Sequence, residues 1–345
     1  MLYTIHQEAE RFYLSHRAGS WVSDYLTARG INETIQQDWR IGYAPNRWTL
    51  LTDHLRYLGF PDSAIERSGL AYESRRGGLI DTFRDRAMLP IARLDSTTIA
   101  FIGRSRDGEP KYLNSPETLI YRKGSVLFGL DRVRHGVRPV LVEGPLDAIA
   151  VTIAAPAEFA GVGLCGTALT PRQADALAQI SDQKAVIALD GDRAGLVAAV
   201  RAYEVLDADA VRFPDGHDPA DLLRSGELGT ALRHQAQPLA DLVIDAAINR
   251  WSGSLHFAEG TIGAMRDAAA VIVRLRPHDV ARQVDRVATR LSLRCDEVTE
   301  AVTDLVAPPL VTVEFPRVPA PGGTSVPTKG RRHDERIRTP RRPTW

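Results

Sequence analysis

The sequence predicts an α/β protein that has a small mixed N-terminal lobe, a parallel-sheet domain and a C-terminal helical region. In the part up to residue 137, short helical segments over 5–74 are followed by β-type runs over 78–103. Strands and helices alternate regularly over 138–236, and residues 237–306 have a helical pattern throughout. The length of 345 residues allows two or three domains, since one domain takes roughly 100–200 residues.

The N-terminal lobe is predicted from two kinds of local pattern. Residues 5–13 and 48–58 carry apolar side chains at helical spacing. Gly59 and Pro61 end the second of these segments. Three later runs are typical of short strands with polar residues between them: 79–81, 87–91 and 98–102. We therefore assign residues 1–137 to one mixed α/β lobe.

The regular alternation over 138–236 predicts a parallel sheet. Residues 139–142 form a continuous apolar run, which is typical of a strand buried on both faces. Thr170 can cap a helix that begins at Pro171. The other predicted strands are 157–164, 184–189 and 210–213, and the other helices are 146–155 and 194–206. Strands joined by helices in this order lie parallel, and the helices cover the faces of the sheet.

The last two segments depart from this alternation. Residues 237–306 are helical in pattern, most clearly over 282–291 and 295–306. Residues 307–345 are rich in proline and carry eight Lys or Arg residues against three Asp or Glu residues. This composition is typical of a chain that cannot bury enough apolar surface to fold, so we predict a disordered basic tail.

Composition argues against several classes of protein. No apolar stretch reaches the roughly 20 residues that span a bilayer, and the N-terminus lacks the basic and apolar regions of a secretory signal. The two cysteines, Cys165 and Cys295, are far apart and belong to no CxxC pair. We therefore expect neither a disulfide framework nor a zinc site in this chain. These features predict a cytoplasmic protein with no membrane partner.

The formal net charge is zero, but the charges are divided between two neighbouring segments. Residues 75–138 carry thirteen basic and seven acidic residues, whereas residues 139–235 carry seven basic and fourteen acidic ones. A basic segment suits a polyanion, and an acidic segment suits metal cations. Ordinary solvated faces would give the same counts, so the division of charge assigns no function by itself.

Acidic residues follow three strands of the predicted sheet. The three clusters are Glu143 with Asp147, Asp190 with Asp192, and Asp215 with Asp218 and Asp221. Ligands of open α/β sheets bind at the carboxyl ends of the strands. Carboxylates gathered there repel one another and need cations, and hard oxygen ligands suit Mg²⁺ or Mn²⁺. One such cluster is equally well explained by a turn or a helix cap, but three at successive strand ends favour a metal site that serves phosphoryl chemistry.

Sequence motifs in both predicted domains resemble a known family. The segments EGPLDAIAV (143–151), LDGDRAG (189–195) and DGHDPADLL (215–223) resemble the Toprim domain, a Rossmann-like parallel-sheet domain shared by bacterial replicative primases, topoisomerases and some nucleases. The segments FRDRAMLPI (83–91), IAFIGRS (99–105) and KYLNSPETLIYRKGSVLFGL (111–130) resemble the catalytic core of DnaG-type primases. The resemblance covers about residues 5–235 and includes YLTARGI (25–31) and WRIGYAP (39–45).

The resemblance implies an enzyme that synthesises short RNA primers on single-stranded DNA. In that family a 3′-hydroxyl attacks the α-phosphate of an incoming NTP and releases pyrophosphate. The residues that would be catalytic are Glu143, Asp190 and Asp192, and the metal ligands would be these three with Asp218, Asp147 and Asp221. The residues that would bind template and nucleotide are Arg84, Arg86, Arg104, Lys111, Asn114 and Lys123. The expected cofactor is Mg²⁺ or Mn²⁺.

The chain also departs from the family pattern. Full-length replicative primases begin with a zinc-binding domain, for which this chain has no ligands, and the third motif reads DPAD where the family often has DPD. The partners that the resemblance implies are a single-stranded DNA template and NTPs. A replicative helicase, or a zinc-binding module supplied in trans, is a further hypothesis. Two other functions stay open: a metal-dependent Toprim nuclease, and a non-catalytic replication adaptor that binds single-stranded DNA.

Overall fold

The structure is a computed structural model, which describes residues 1–164, 166, 168–189, 193–214, 216–275 and 277–306. Asp190, Asp192 and Asp215 lie outside the described residues, so their predicted roles cannot be compared with their positions. The predicted disordered tail, 307–345, also lies outside them. Among the described helices, none has the length and apolar character needed to cross a bilayer.

The N-terminal lobe is mixed α/β, which confirms the prediction for this part of the chain. Its helices are α1 (Leu2–Ser15), α2 (Trp21–Thr27), α3 (Glu33–Asp38), α4 (Leu50–Tyr57) and α5 (Asp62–Arg67). Its strands are β1 (Gly42–Ala44), β2 (Ala71–Glu73), β3 (Leu79–Asp81), β4 (Arg86–Ala92), β5 (Thr98–Ser105) and β6 (Tyr112–Asn114). Four strands form an antiparallel sheet in the order β1-β4-β5-β6, and β2 and β3 form a separate hairpin.

Strand β5 joins the core of the lobe to the core of the next domain. Every residue of β5 is buried, and neighbouring side chains of a strand point to opposite faces. Phe101 packs with Tyr13 of α1, at 5.3 Å between ring centroids. Ile102 belongs instead to the apolar cluster that includes Val140 and Ile149 of the next domain. The lobe is therefore fixed against that domain, and the space between them has defined walls.

Residues 138–238 form the predicted parallel sheet with its helices. The strands are β7 (Arg138–Val142), β8 (Phe159–Gly163), β9 (Val186–Leu189), β10 (Asp209–Arg212) and β11 (Gln237–Pro238). The helices are α6 (Pro145–Ala154), α7 (Pro171–Ile180), α8 (Arg193–Tyr203), α9 (Pro219–Ser225) and α10 (Leu228–His234). The strand order is β11-β10-β9-β7-β8, and β7 to β10 are parallel.

The short antiparallel strand β11 was not predicted from the sequence. It has only two residues and pairs with β10 at the edge of the sheet. Pro238 lacks an amide hydrogen and therefore fits only an edge position of this kind. A two-residue strand shows no alternation of apolar and polar side chains, so the sequence gives no signal for it.

Helix α6 lies unusually close to strand β8, and Gly161 makes this approach possible. A Cβ atom at Gly161 would lie 2.0 Å from the carbonyl oxygen of Ala148. Thr152 reinforces the contact, because its hydroxyl accepts a hydrogen bond from the Gly161 amide at 2.9 Å. The start of α6, which follows Glu143, is thereby held at the end of the sheet.

The C-terminal region is helical, as predicted, and consists of α11 (Leu239–Asn249), α12 (Ala258–Ile272), α13 (Pro277–Leu291) and α14 (Cys295–Val306). A ladder of polar contacts joins α11 to α13, with partners spaced four residues apart on both helices. Its members are Asp241, Asp245 and Asn249 on α11 and Arg282, Arg286 and Arg290 on α13. Side chains four residues apart share one helix face, so the two helices are joined along two turns.

We expect Asp241→Asn to destabilise the folded chain by about 2 kcal/mol at neutral pH, between the values for buried and exposed ion pairs. Burial alone would raise the pKa of Asp241, but hydrogen bonds from Arg282 and Gln283 outweigh it and hold this pKa below its usual value. A lowered carboxyl pKa stabilises the fold above about pH 3.9, and the contribution is lost as the pH falls through the folded pKa. Urea unfolding at pH 7 should give a lower free energy of unfolding for the variant than for the wild type. This difference should decrease below about pH 4.

The matched control for this prediction is Asp296→Asn. Asp296 pairs with Arg294 on the surface, where both side chains are largely exposed. Because exposed pairs contribute little to stability, this control should leave the urea midpoint unchanged. An equal shift for both variants would contradict a specific role for the ladder.

Candidate active site

A cleft of about 520 Å³ lies between the N-terminal lobe and the carboxyl edge of the parallel sheet. The sheet domain contributes three carboxylates to its lining: Glu143, Asp147 and Asp218. The lobe contributes polar and basic side chains from the opposite side: Arg29, Arg104, Lys111, Tyr112, Asn114 and Lys123. The cleft thus joins residues from both oppositely charged segments of the sequence.

Glu143 and Asp147 occupy the turn between β7 and α6. Strand β7 ends at Val142, and α6 begins at Pro145, whose ring suits the first position of a helix. Asp147 lies in the first turn of α6, where the exposed amides and the helix dipole favour a negative charge. A Cβ atom at Gly144 would lie 2.6 Å from the Asp147 Oδ2 atom. The glycine between the two acidic residues therefore allows the carboxylate to turn towards the backbone.

Asp218 and Asp221 form a reciprocal cap at the start of α9. The Asp218 Oδ1 atom accepts a hydrogen bond from the Asp221 amide at 2.8 Å, and the Asp221 Oδ2 atom accepts one from the Asp218 amide at 3.3 Å. Burial would raise the pKa of Asp221, but the hydrogen bond with Asp218 and the ion pair with Arg224 lower it below its usual value. Asp218 lines the cleft, whereas Asp221 does not. Of the two predicted ligands, Asp218 is thus the better placed.

Arg104 is a buried basic residue on the lobe side of the cleft. Its side chain is only 6% exposed, and its Nε and Nη2 atoms donate to the Tyr25 hydroxyl at 2.9 and 2.5 Å. The guanidinium also lies 4.8 Å from the centroid of the Tyr112 ring. Its Nη1 atom is buried and has no hydrogen-bond partner among the described residues. An unsatisfied buried donor of this kind is costly. Arg104 also lines the cleft, where its positive charge suits an anion.

Lys111, Asn114 and Lys123 lie at or near strand β6 of the lobe sheet. Lys111 precedes β6, Asn114 ends it, and Lys123 begins a short 3-10 turn, Lys123–Ser125. The Nζ atom of Lys123 lies 3.8 Å from the position that a Cβ atom would have at Gly166. Gly166 follows the strand β8, so Lys123 reaches across to the sheet domain.

The remaining two predicted binding residues, Arg84 and Arg86, do not line this cleft. Arg86 is buried and donates to the carbonyl oxygens of Gly103 and Pro110 at 3.1 and 2.9 Å. Burial and the neighbouring Arg84 lower the pKa of Arg86. The Arg84 guanidinium lies 4.4 Å from the centroid of the Trp48 ring. Arg86 thus holds the backbone next to Lys111 in place, and Arg84 packs against Trp48.

Three residues of this site were not among those predicted from the sequence. Arg29 and Tyr112 line the cleft, and Tyr25 supports Arg104 and lies 4.0 Å, centroid to guanidinium carbon, from Arg29. The signal was present, because YLTARGI contains Tyr25 and Arg29 and KYLN contains Tyr112. These motifs indicate similarity to a family, but they do not indicate which of their side chains lie together in the cleft.

The chemistry of the acidic residues fits a divalent cation. Within the described ranges, no group of three His, Cys, Asp or Glu residues is close enough to hold an ion. Strand β9 ends at Leu189, next to β7 in the sheet, with Ile187 paired to Leu141. The described end of β9 therefore lies at the edge that carries Glu143. Oxygen donors on this edge are the kind that Mg²⁺ and Mn²⁺ prefer.

Two family models match the chain. Residues 11–134 match the N-terminal domain of the DNA primase catalytic core, and residues 140–223 match a Toprim-like domain. Together the two matches cover the lobe and the sheet domain that form the cleft.

Comparisons with known proteins and with solved structures also find DNA primases. The DNA primase of Streptomyces coelicolor is 32% identical over 81% of this chain, and the chain spans about half (49%) of that protein. The RNA polymerase domain of Mycobacterium tuberculosis primase DnaG is 30% identical, covers 84% of this chain, is itself covered to 97%, and has a TM-score of 0.71. A DnaG primase catalytic domain bound to single-stranded DNA is 26% identical and has a TM-score of 0.73, over 86% of this chain and 98% of that one.

Proposed function

This chain belongs to the family of DnaG-type DNA primase catalytic cores, and from that membership we propose that it synthesises short RNA primers on single-stranded DNA. The activity is that of a DNA-directed RNA polymerase, which transfers a nucleotide from an NTP to a 3′-hydroxyl. The observation that carries the proposal is the single cleft in which Glu143, Asp147 and Asp218 face Arg104, Lys111 and Lys123. Acidic and basic residues that line one cleft suit a triphosphate that is held between a cation and a cationic lobe.

The acidic edge of the sheet supplies the proposed metal ligands. Glu143 and Asp218 line the cleft, and Asp190 and Asp192 complete the proposed set by following β9. A bound Mg²⁺ or Mn²⁺ would supply charge neutralisation for the α-phosphate and activation of the 3′-hydroxyl. Asp147 and Asp221 are supporting candidates, because both lie in the first turn of a helix next to a ligand.

The lobe wall supplies the proposed contacts to nucleotide and template. The Arg104 guanidinium is held by Tyr25, and Arg104 lines the cleft, so its positive charge can attract a phosphate group. Lys111 and Lys123 add positive charge, which binds the backbone of a nucleic acid regardless of sequence. Phosphate contacts of this kind position a strand and an NTP for attack, which removes much of the entropic barrier.

Tyr25→Phe is expected to lower kcat/KM for primer synthesis about 5- to 30-fold, since one charge-assisted hydrogen bond contributes about 1–2 kcal/mol. The phenylalanine ring keeps the packing against Arg29 but removes the hydroxyl that accepts from Arg104. The effect should fall on KM for the NTP more than on kcat, because Tyr25 positions Arg104 and does not contact the reacting atoms itself. Steady-state kinetics with varied NTP concentration measures this split, and a loss in kcat alone would contradict the positioning role.

The experiment that tests the proposed function is a priming assay on random single-stranded templates. It supplies NTPs with Mg²⁺ or Mn²⁺ and compares the wild type with Asp190→Ala, in the absence and presence of an added zinc-binding module. We expect labelled oligonucleotides from the wild type and none from the variant, because a metal ligand is removed. Folded wild-type protein that makes no oligonucleotide under any of these conditions would overturn the proposal.

The same assay separates the other two functions. Degradation of DNA that needs the metal but no NTP would identify a Toprim nuclease. Binding of single-stranded DNA without turnover, unchanged by Asp190→Ala and Asp192→Ala, would identify a non-catalytic adaptor. A helicase as a partner stays a hypothesis, and co-purification with a replicative helicase tests it.

A further inference from the structure

The turn that carries Lys123 is held by the start of helix α7 in the sheet domain. Lys123 lines the catalytic cleft and begins the short turn Lys123–Ser125. The side chains of Thr170 and Gln173, which form the cap of α7, donate hydrogen bonds to the backbone of this segment. Both residues lie outside the cleft lining, so contact with a substrate does not account for them.

Gln173 is the buried link between α7 and the turn. Its side chain is 0% exposed. Its Nε2 atom donates to the Val126 carbonyl at 2.8 Å and, in a longer hydrogen bond, to the Lys123 carbonyl at 3.4 Å. These carbonyls lie just after the turn and at its start, so one amide group fixes the backbone at both places. Removing this amide would take a partner from both carbonyls at a site closed to water.

Thr170 adds a second hydrogen bond to the same turn. Its Oγ1 atom donates to the Gly124 carbonyl at 2.7 Å and accepts from the Gln173 amide at 3.2 Å. A Cβ atom at Gly124 would lie 3.3 Å from the Thr170 Cγ2 atom, so the turn packs closely on the start of α7. Two side chains of the sheet domain therefore hold three successive parts of the turn segment.

The Gln173 side chain has one group that the cap of α7 does not require. Its Oε1 atom accepts from the Thr170 amide at 3.0 Å and completes a capping box. Glutamate closes a capping box as glutamine does, because only an acceptor is needed there. The Nε2 donor is therefore not needed by the helix, and its hydrogen bonds go to the turn segment.

The chain on both sides of the turn is fixed as well. The Lys123 amide donates to the Glu117 Oε1 atom at 3.2 Å. Phe128 exchanges two backbone hydrogen bonds with Gly163 of β8, at 3.0 and 2.9 Å. The Lys123 side chain thus begins from a fixed backbone. A side chain with a fixed base has fewer positions to lose when a ligand binds to its end.

We propose that Gln173 and Thr170 are positioning residues, which hold Lys123 in place for a phosphate group of the NTP. The inference rests on the proposed function, in which Lys123 contacts the nucleotide, and it adds two residues from outside the cleft. Both residues act through the backbone of the turn and not by contact with the substrate. Preorganisation of this kind lowers the cost of binding, so its loss should appear in nucleotide affinity.

The test is a double-mutant cycle between Gln173→Met and Lys123→Ala, measured as the Kd of ATP with Mg²⁺ by calorimetry. Methionine has a length similar to that of glutamine but cannot donate to the turn. Gln173→Met alone should weaken ATP binding about 2- to 12-fold, the entropic cost of immobilising one long side chain. In the Lys123→Ala background it should have no effect, because residues that act through one side chain are not additive.

Three results of this cycle would overturn the proposal. The first is an equal loss from Gln173→Met in both backgrounds. The second is a Lys123→Ala variant that binds ATP as the wild type does. The third is a wild type that binds no ATP, since the turn would then serve no nucleotide site.

Ser181→Ala is the matched control for a general loss of stability. Ser181 lies at the other end of α7, and its hydroxyl donates to the Val137 carbonyl at 3.1 Å. Its replacement also removes a buried hydrogen bond from a side chain to the backbone. The urea midpoint should fall while ATP affinity stays unchanged. A loss of ATP affinity as large as that of Gln173→Met would contradict a role specific to the turn.

Gln173→Glu tests the donor through its pH dependence. The variant keeps an acceptor for the Thr170 amide, but an ionised carboxylate would repel the carbonyls of Val126 and Lys123. Burial raises the pKa of a carboxyl group, so the new group can donate while it is protonated and loses this proton as the pH rises. ATP affinity relative to the wild type should therefore fall from about pH 5 to about pH 8. A constant ratio would contradict the role of the donor.

A pair of variants tests Thr170 in the same binding assay. Thr170→Val removes the hydroxyl that donates to the Gly124 carbonyl, and it should weaken ATP binding in the wild type but not in Lys123→Ala. Thr170→Ser keeps the hydroxyl and should bind ATP as the wild type does. Equal ATP affinity for the two variants would contradict the role of Thr170.

Binding and synthesis together separate this proposal from the proposed function. A non-additive loss of ATP affinity, in a chain that makes no primer under any condition, would support the positioning role and contradict primer synthesis. Primer synthesis by a chain whose ATP affinity is unchanged in Gln173→Met would support the enzymatic function and overturn the positioning role.

Discussion

Glu143→Gln is expected to lower the rate of primer synthesis by about 10³-fold, which corresponds to roughly 4 kcal/mol of lost transition-state stabilisation. Glutamine has nearly the size of glutamate, so the turn from β7 to α6 should keep its shape. It lacks the negative charge, however, and the proposed cation would be held less tightly at the sheet edge. The loss should appear in kcat with saturating NTP and should shrink only in part when Mn²⁺ replaces Mg²⁺.

The control for this variant is Glu158→Gln in the same domain. Glu158 lies outside the cleft and pairs with Arg233 on the surface. Its replacement should leave primer synthesis unchanged, because exposed ion pairs contribute little to the fold. Turnover of Glu143→Gln within about twofold of the wild type, a difference of about 0.4 kcal/mol, would mean that this carboxylate is not part of the reacting centre.

Arg104→Ala is expected to lower kcat/KM by about 10²-fold, mainly by raising KM for the NTP, because a hydrogen bond from a charged group contributes about 1.5–3 kcal/mol. The alanine variant lacks both the buried donor and the interactions with Tyr25 and Tyr112. Arg104→Lys should recover little, because an ammonium group lacks the planar fork that places two donors on the Tyr25 hydroxyl. Steady-state kinetics with NTP and template varied in turn measures the effect.

Arg106→Ala serves as the control for this second prediction. Arg106 is two residues from Arg104, but its side chain is 58% exposed and pairs with Asp107. The Arg106→Ala variant should have the same kcat/KM for primer synthesis as the wild type. Equal losses for Arg104→Ala and Arg106→Ala would indicate a general effect of positive charge on the lobe, and not a specific contact in the cleft.

The sheet domain could be predicted from the sequence because its strands are buried on both faces. Continuous apolar runs such as 139–142 are hard to explain in any other way, and the acidic residues follow them directly along the chain. The edge location of Glu143 and Asp218 then follows from the parallel order of the strands. Local sequence was sufficient to predict this location, because the strand, the turn and the helix follow one another directly along the chain.

The side-chain positions in the lobe could not be predicted in the same way. Arg86 and Arg104 belong to neighbouring antiparallel strands and carry the same charge, yet one donates to backbone carbonyls and the other lines the cleft. The difference depends on Pro110 and Tyr25, which are distant in sequence from the arginines that they contact. The ladder between α11 and α13 was missed for the same reason, since its partners lie 41 residues apart.

We propose that carboxylates from separate strands and the basic wall of the lobe surround one cation site. The most direct measurement replaces Mg²⁺ with Fe²⁺, generates hydroxyl radicals at the bound ion, and maps where the polypeptide is cut. We predict cuts near Glu143, Asp190 and Asp218 and on the facing lobe near Lys123, all suppressed by excess Mg²⁺ and weakened in Glu143→Gln. Cuts confined to one of these segments, or cuts unaffected by Mg²⁺, would mean that the carboxylates and the lobe do not share one cation site.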